Sequence, residues 1–390
     1  MNTTPQSNRL HIAVFGRRNS GKSSLINALT RQDVALVSDT PGTTTDLVYK
    51  AMEIYGIGPC VLIDTPGFDD EGELGEKRIE QTLKAVEKTD IALFLCEEKV
   101  TEELHWLNLL KEKNIPVVLL LNKADLRESQ NIAEIKEQYD ADLLVISALK
   151  QEGIEYIRQA IIANLPEDYD CQSITGNRVA EGDLVLLVMP QDIQAPKGRL
   201  ILPQVQTLRE LLDKKSIVIS CTTDQFPVAI QTISSSPKLI ICDSQVFKTV
   251  YDQKPAESKL TSFSVLFAEH KGDIQYYRDS ATVINRLEES STVLIAEACA
   301  HAPLSEDIGR VKIPRMLRQR IGEGIQIDFV SGNDFPDNLK KYDLIIHCGA
   351  CMFNRKHVLN RIEKAKKQQV PMTNYGVLIA FLNGILDQIE

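Results

Sequence analysis

The sequence predicts an α/β protein with largely parallel sheets, arranged as three domains. Three observations lead there. Short apolar runs alternate with helix-spaced segments over residues 10 to 165 and again over 263–390. A glycine-bearing phosphate loop, Gly16-Arg17-Arg18-Asn19-Ser20-Gly21-Lys22-Ser23, lies between the first apolar run and the first helical one. The polar, aperiodic stretch from Pro166 to Gly182 marks a linker. At 390 residues the chain is also too long for one ordinary core.

In order along the chain, residues 1–170 form a first domain with strands expected at Leu10–Phe15, Val61–Asp64, Ile91–Leu95, Val117–Leu121 and Leu143–Ile146. Helices are expected at Lys22–Leu29, Glu76–Val86, Glu102–Glu112 and Ile154–Asn164, where apolar positions recur at three and four. A small α/β middle domain follows at 180–262. It has strands at Leu184–Val188, Ile217–Ser220 and Leu239–Cys242, Pro- and Gly-bearing turns, and one helix around Leu208–Lys214. Residues 263–390 make a C-terminal α/β domain with a parallel sheet. Its strands fall at Thr292–Ala296, Ile325–Val330 and Leu344–His347, and its helices at Ile274–Glu289, Pro314–Ile321, Arg355–Gln368 and Gly376–Ile389.

Composition narrows the class. Hydrophobic residues make up 43% and charged ones 25%, and no apolar run is long enough to cross a bilayer. Met1–Arg9 lacks the apolar stretch of a signal peptide, so a cytoplasmic protein is expected. The balance of 44 basic against 54 acidic residues, a net −10, argues against a broad nucleic-acid face. Eight cysteines in such a chain read as thiols or metal ligands rather than disulfides.

In the phosphate loop, backbone amides of Asn19, Ser20 and Gly21 wrap phosphates and Lys22 reaches the terminal two. The Ser23 hydroxyl takes a magnesium vertex, with Ser24 beside it. Asp64-Thr65-Pro66-Gly67 ends a strand, placing a carboxylate near the metal and the Gly67 amide near the γ-phosphate. Asn122-Lys123-Ala124-Asp125 ends another. The Asp125 carboxylate can accept both N–H bonds of a guanine edge, which adenine does not offer. Ser147-Ala148-Leu149 closes the base pocket. These segments resemble the motifs of translation-factor-related GTPases, which implies GTP and GDP as ligands. Pro41-Gly42-Thr43-Thr44-Thr45-Asp46 resembles the switch of the tRNA-modification and ribosome-assembly group, implying that Thr44 caps magnesium. Asn19 matches the residue that helps that group hold a potassium ion. Phe68 stands where many switch GTPases carry a water-positioning glutamine, so slow hydrolysis is expected. Arg17 and Arg18 read as solvated loop residues.

A second constellation lies near the C-terminal end. Cys299-Ala300-His301 and His347-Cys348-Gly349-Ala350-Cys351 each fall just past a predicted parallel strand, the edge where such sheets bind ligands. Three thiols with two imidazoles suit tetrahedral zinc or an iron–sulfur cluster. His301, His347 and Glu306 are candidates for a fourth ligand or a supporting role, and Asp307 reads as a possible oxygen ligand or a helix-start carboxylate. Cys60, Cys96, Cys171, Cys221 and Cys242 occur singly and read as small buried hydrophobes. Arg355, Lys356, Arg361, Lys364, Lys366 and Lys367 read as one solvated helix face.

A GTPase domain, a middle domain, then Cys-x-His with a distant His-Cys-x-x-Cys resembles the HydF-type maturation GTPases of FeFe-hydrogenase over essentially the whole chain. The resemblance implies a 4Fe–4S cluster on Cys299, Cys348 and Cys351 with an exchangeable fourth ligand, and a homodimer built through the middle domain. It also implies a scaffold that receives a two-iron precursor from radical-SAM maturation enzymes and passes it to apo FeFe-hydrogenase; from charge and the lack of an apolar span, no nucleic acid or membrane partner is expected. The competing expectation is an RNA- or ribosome-associated GTPase with a structural zinc, against which the acidic balance counts.

Overall fold

The computed structural model describes residues 6–30, 47–54, 56–68, 73–97, 100–139, 142–166, 173–190, 200–298 and 307–389. The chain forms two compact units, residues 1–171 and 172–390.

The first unit contains strands β1 (Leu10–Gly16), β2 (Val48–Ile54), β3 (Gly58–Asp64), β4 (Ile91–Leu95), β5 (Val117–Leu121) and β6 (Leu143–Val145). Its helices are α1 (Lys22–Thr30), α2 (Glu73–Val86), α3 (Val100–Glu112), α4 (Ser129–Tyr139) and α5 (Ile154–Ala163). The sheet runs β2-β3-β1-β4-β5-β6, and only the β2–β3 pair is antiparallel. The central strands β1 and β4 are buried along their whole length, as expected when helices cover both faces. Two apolar layers result. Phe15, Ile63, Phe94 and Leu121 lie on one face, and Ile12, Leu25, Leu93 and Ile157 on the other. Apolar periodicity does not mark β2 or α4. β2 is an edge strand in which the apolar Val48 and Tyr49 are exposed and Lys50 is buried, so neither a continuous apolar run nor a clean alternation marks it.

The second unit holds two four-stranded sheets, all parallel. The first, ordered β10-β9-β7-β8, is built from β7 (Leu184–Val188), β8 (Ile217–Cys221), β9 (Leu239–Cys242) and β10 (Lys259–Ser262). Helices α6 (Leu202–Asp213), α7 (Phe226–Thr232), α8 (Phe247–Gln253) and α9 (Phe263–Lys271) accompany it, where the sequence suggested one helix. The second sheet runs β12-β11-β13-β14, from β11 (Thr292–Glu297), β12 (Gln326–Ser331), β13 (Leu344–His347) and β14 (Met372–Asn374). With it go α10 (Ile274–Ala281), α11 (Ile313–Ile321), α12 (Arg355–Lys367) and α13 (Tyr375–Leu382). One buried cluster joins the two sheets, with Leu186 and Ile240 from one, Leu294 and Ile345 from the other, and Phe226 and Val377 from helices packed on them.

Two expected helices are shorter than their patterns. α10 ends at Ala281, and the β-branched run Thr282-Val283-Ile284 continues as a 3₁₀ turn. α13 stops at Leu382, and Gly384 two residues on adopts a left-handed φ of 68°. Among the described residues, no helix is long and apolar enough to cross a membrane.

Candidate functional site

The nucleotide site sits at the C-terminal edge of the first sheet, where the ends of β1, β3, β5 and β6 carry four of the five predicted segments; the fifth, 41–46, lies outside the described residues. The parallel register pairs Val14 with Asp64 and Leu121 with Val145, which aligns those ends. Ser23 Oγ donates to Asp64 Oδ2 at 2.7 Å, so the hydroxyl and carboxylate expected around magnesium already meet. Asp64 is 3% exposed, and burial raises its pKa despite Ser23 and Lys22 nearby. Its other oxygen, Oδ1, is buried and finds no partner among the described residues, an acceptor at the place a cation would need one. Lys22 Nζ donates to the carbonyls of Gly16 (2.9 Å) and Arg17 (2.7 Å), folding the loop around the ammonium.

Asn122 fastens the phosphate loop to the base pocket. Its Nδ2 donates to Ser20 O at 3.1 Å and its Oδ1 accepts from Ala148 N at 3.0 Å. Gly21 is required beneath it. Its φ is 93°, and a Cβ there would lie 2.3 Å from Asn122 Nδ2. Lys123 takes a left-handed turn (φ 63°), and Asp125 Oδ1 accepts from Ser147 Oγ at 2.6 Å, which lowers the pKa of that carboxyl. Leu149 is exposed, as is Asn19 (φ 61°). Gly67 is buried at the end of its strand, and Ser24 is half-buried on α1. Thr44 lies outside the described residues.

Phe68 does not face the nucleotide side. It is buried, with ring centroids 5.3 Å from Trp106 and 5.9 Å from Phe94. Arg18 is exposed as expected, but Arg17 is not a solvated residue. Its Nε meets Glu103 Oε1 at 3.2 Å, and the Glu103 side chain is fully buried on α3. Tyr139 Oη also donates to Glu103. Burial raises the Glu103 carboxyl to about 7, against the pull of Arg17. Sequence could not expose this pair, since 86 positions separate its members.

The His347–Cys351 half of the Cys/His constellation falls at the C-terminal edge of the second sheet of the other unit. Cys348 follows β13, and its backbone N donates to Ala296 O of β11 at 2.9 Å. Cys348 Sγ accepts two amides, Ala298 N at 3.0 Å and Ala350 N at 3.4 Å. The Ala350 bond needs a tight turn, made by Ala350 at φ 50°. Cys351 lies three residues on, its thiol pKa raised by burial and lowered by the Lys271 ammonium. Cys299, His301 and Glu306 lie outside the described residues. Among the described residues, no group of three or more Cys, His, Asp or Glu side chains converges as a metal site.

His347 is buried and both its ring nitrogens are engaged. Nδ1 meets Cys348 O at 2.9 Å, and Nε2 faces Arg361 Nη1 at 3.0 Å. Since the guanidinium can only donate, Nε2 accepts and Nδ1–H donates. Burial and Arg361 lower its pKa to about 3, keeping it neutral. Arg361 is therefore no part of a solvated face. It is 4% exposed, donates to Gly332 O, and lies 4.6 Å from the Phe353 ring centroid. The signal was its position: 357, 358, 361, 362 and 365 form one buried stripe of α12. Asp307 is buried and caps the helical turn Ile308–Lys312, accepting from Arg310 N at 2.7 Å. Cys60, Cys96 and Cys242 are buried, with pKa values raised by burial, as small hydrophobes should be.

A phosphate loop, an Asp at a strand end and a carboxylate-tipped base pocket on a six-stranded sheet define a P-loop GTPase domain. The comparisons agree. A family model described as a 50S ribosome-binding GTPase matches residues 11–123. The tRNA modification GTPase MnmE of Caldicellulosiruptor saccharolyticus is 33% identical over 179 residues, covering 44% of this chain and 39% of that protein. MnmE of Nitrosomonas europaea is 36% identical over 156 residues, covering 39% of this chain and 34% of that one. The chain thus spans about two fifths or less of the length of these curated relatives. A solved structure of Era from Aquifex aeolicus with GDP and aluminium fluoride is 21% identical at a TM-score of 0.37, covering 57% of this chain and 98% of that one.

Beyond the GTPase domain, residues 174–272 match the hydrogen maturase F dimerization domain and 275–389 the hydrogen maturase F tetramerization domain. The chain belongs to the hydrogen maturase F (HydF-type) family of hydrogenase maturation GTPases. The two descriptions also point to self-assembly of the chain.

Proposed function

We propose that this GTPase is a cluster-bearing scaffold. It holds a 4Fe–4S cluster on Cys299, Cys348 and Cys351, carries a two-iron precursor received from radical-SAM maturation enzymes, and delivers it to apo FeFe-hydrogenase as a homodimer or larger assembly. The observation that carries the reading is the Cys348 sulfur. It accepts two backbone amides at the ligand-binding edge of a parallel sheet, and one of them belongs to Ala298, the residue before Cys299. Amides aimed at sulfur favour the thiolate, the form that binds iron. The donor set fits a cube held by three thiolates, and such a cluster supplies an iron open to an exchangeable ligand.

The chain's own residues have distinct tasks. Cys348 and Cys351 offer thiolates on one tight turn, and His347 holds the Cys348 carbonyl while Arg361 fixes its tautomer. In the nucleotide unit, Ser23, Thr44 and Asp64 hold magnesium, Asn19 helps hold potassium, and Lys22 with the Gly67 amide meets the γ-phosphate. Asp125 selects guanine. GTP binding at the switch segments biases partner docking, and hydrolysis resets the scaffold.

The test is anaerobic iron and sulfide reconstitution with spin-resonance spectra of wild type and of Cys299→Ser, Cys348→Ser and Cys351→Ser. The expected outcome is a reducible cubane signal in wild type, lost or altered in each variant. A signal fully retained in all three sinks the cluster assignment. Partner affinity identical with GTP, GDP and no nucleotide sinks the switch.

A further inference from the structure

The last residue of α9, Lys271, belongs to no motif, yet it is only 3% exposed. Its ammonium donates to Ala350 O at 3.2 Å and Phe353 O at 2.9 Å, the carbonyls on either side of Cys351. The Phe267 ring centroid lies 5.9 Å away. An ammonium has three donors, and among the described residues the third finds no acceptor and no carboxylate pairs with the charge. A buried, unpaired cation is costly to keep, so folds retain one where an anion comes to meet it. The two carbonyls it holds flank Cys351 on the ligand turn, so thiolates bound to metal there are the anions this ammonium would face.

We propose that Lys271 is the built-in counter-cation of the Cys348–Cys351 metal centre, pinning the ligand loop by two carbonyls and offsetting the negative charge of the thiolate-held cluster. This rests on the cluster reading above. A cube on thiolates is anionic and becomes more so on reduction, so a fixed cation beside it favours the reduced form. Because α9 follows the last strand of the first sheet in this unit, the same residue ties that sheet's helix layer to the ligand loop of the second.

The experiment is redox titration of the reconstituted full-length chain, followed by spin resonance, for wild type, Lys271→Met and Lys271→Arg. Methionine keeps the stem and removes the charge, whereas arginine keeps the charge. The expected result is a more negative reduction potential in Lys271→Met. At a fixed potential its reduced-to-oxidised ratio should fall about tenfold, which is 59 mV for one electron, while Lys271→Arg stays near wild type. A melting scan of each apoprotein by circular dichroism accompanies it and sets a titration temperature at which all three are folded. A folded Lys271→Met that takes up no iron, with uptake restored in Lys271→Arg, gives the same conclusion. Equal potentials in all three, or loss of the cluster from both variants alike, overturns the counter-cation role. No cluster in wild type removes the cluster reading itself, a separate failure.

Discussion

Replacing Phe68 by glutamine tests whether position 68 has access to the nucleotide. A glutamine there would restore the side chain that other switch GTPases use to orient water. The structure predicts no catalytic gain, because the Phe68 side chain is 6% exposed and stacked on Trp106 and Phe94. Emptying a buried Phe site costs about 3–5 kcal/mol by the Phe→Ala comparison. Glutamine recovers some packing through its stem but buries an amide with unmet hydrogen bonds, a penalty of about 1–3 kcal/mol. The net loss is therefore about 3 kcal/mol or more, and at roughly 2 kcal/mol per M of urea the midpoint falls by about 1.5 M. Trp106 is the single tryptophan and lies in this stack, so its fluorescence follows the first unit alone. Single-turnover GTP hydrolysis is measured on the same preparations at a temperature where the variant is folded. A tenfold acceleration with an unchanged urea midpoint would refute the reasoning, since the side chain would then have to sit over the γ-phosphate rather than in the core.

Burial raises the Glu103 carboxyl to about 7, above its unfolded value, so the folded unit prefers the protonated acid. Its contribution is present at acidic pH and lost as pH rises through about 7; Glu103→Gln should flatten this part of the stability profile, read by urea titrations from pH 5 to 8. Asn122→Ala removes both bonds between the phosphate loop and the base pocket, and calorimetry should show GDP affinity down by roughly tenfold to a hundredfold. Asp125→Asn replaces a double acceptor with a donor-bearing amide, so competition binding should show GDP losing and the xanthine nucleotide gaining. A Cβ on Gly376 would lie 2.4 Å from Ser264 Cβ, so Gly376→Ala should destabilise the second unit by about 1–3 kcal/mol in thermal melts.

Much of the fold was legible because buried parallel strands leave unbroken apolar runs. Ile91–Leu95, Val117–Leu121, Leu184–Val188, Leu239–Cys242 and Leu344–His347 have the bounds their sequence suggested. What the reading omitted has a common cause. β2 is an edge strand that exposes Val48 and Tyr49 and buries Lys50, and α4 carries few apolar residues. The short helices α7 and α8, of seven residues each, offer barely two turns of periodicity. The second unit joins its two sheets through one buried cluster, a continuity that a break in composition does not reveal.

The amino-acid order alone determined the chemistry of contiguous segments: the phosphate loop, Asp64 after its strand, Asp125 in the base pocket and the Cys348–Cys351 spacing. Those motifs work through backbone turns and neighbouring side chains, so a few adjacent letters specify them. Only the tertiary structure decided where three cations go. Arg17 turns to Glu103, Arg361 to His347 and Lys271 to the carbonyls around Cys351, across 86, 14 and 79 or more positions. A charged residue looks the same in sequence whether water or the interior surrounds it. Its partner, brought close by the packing of other elements, makes the difference.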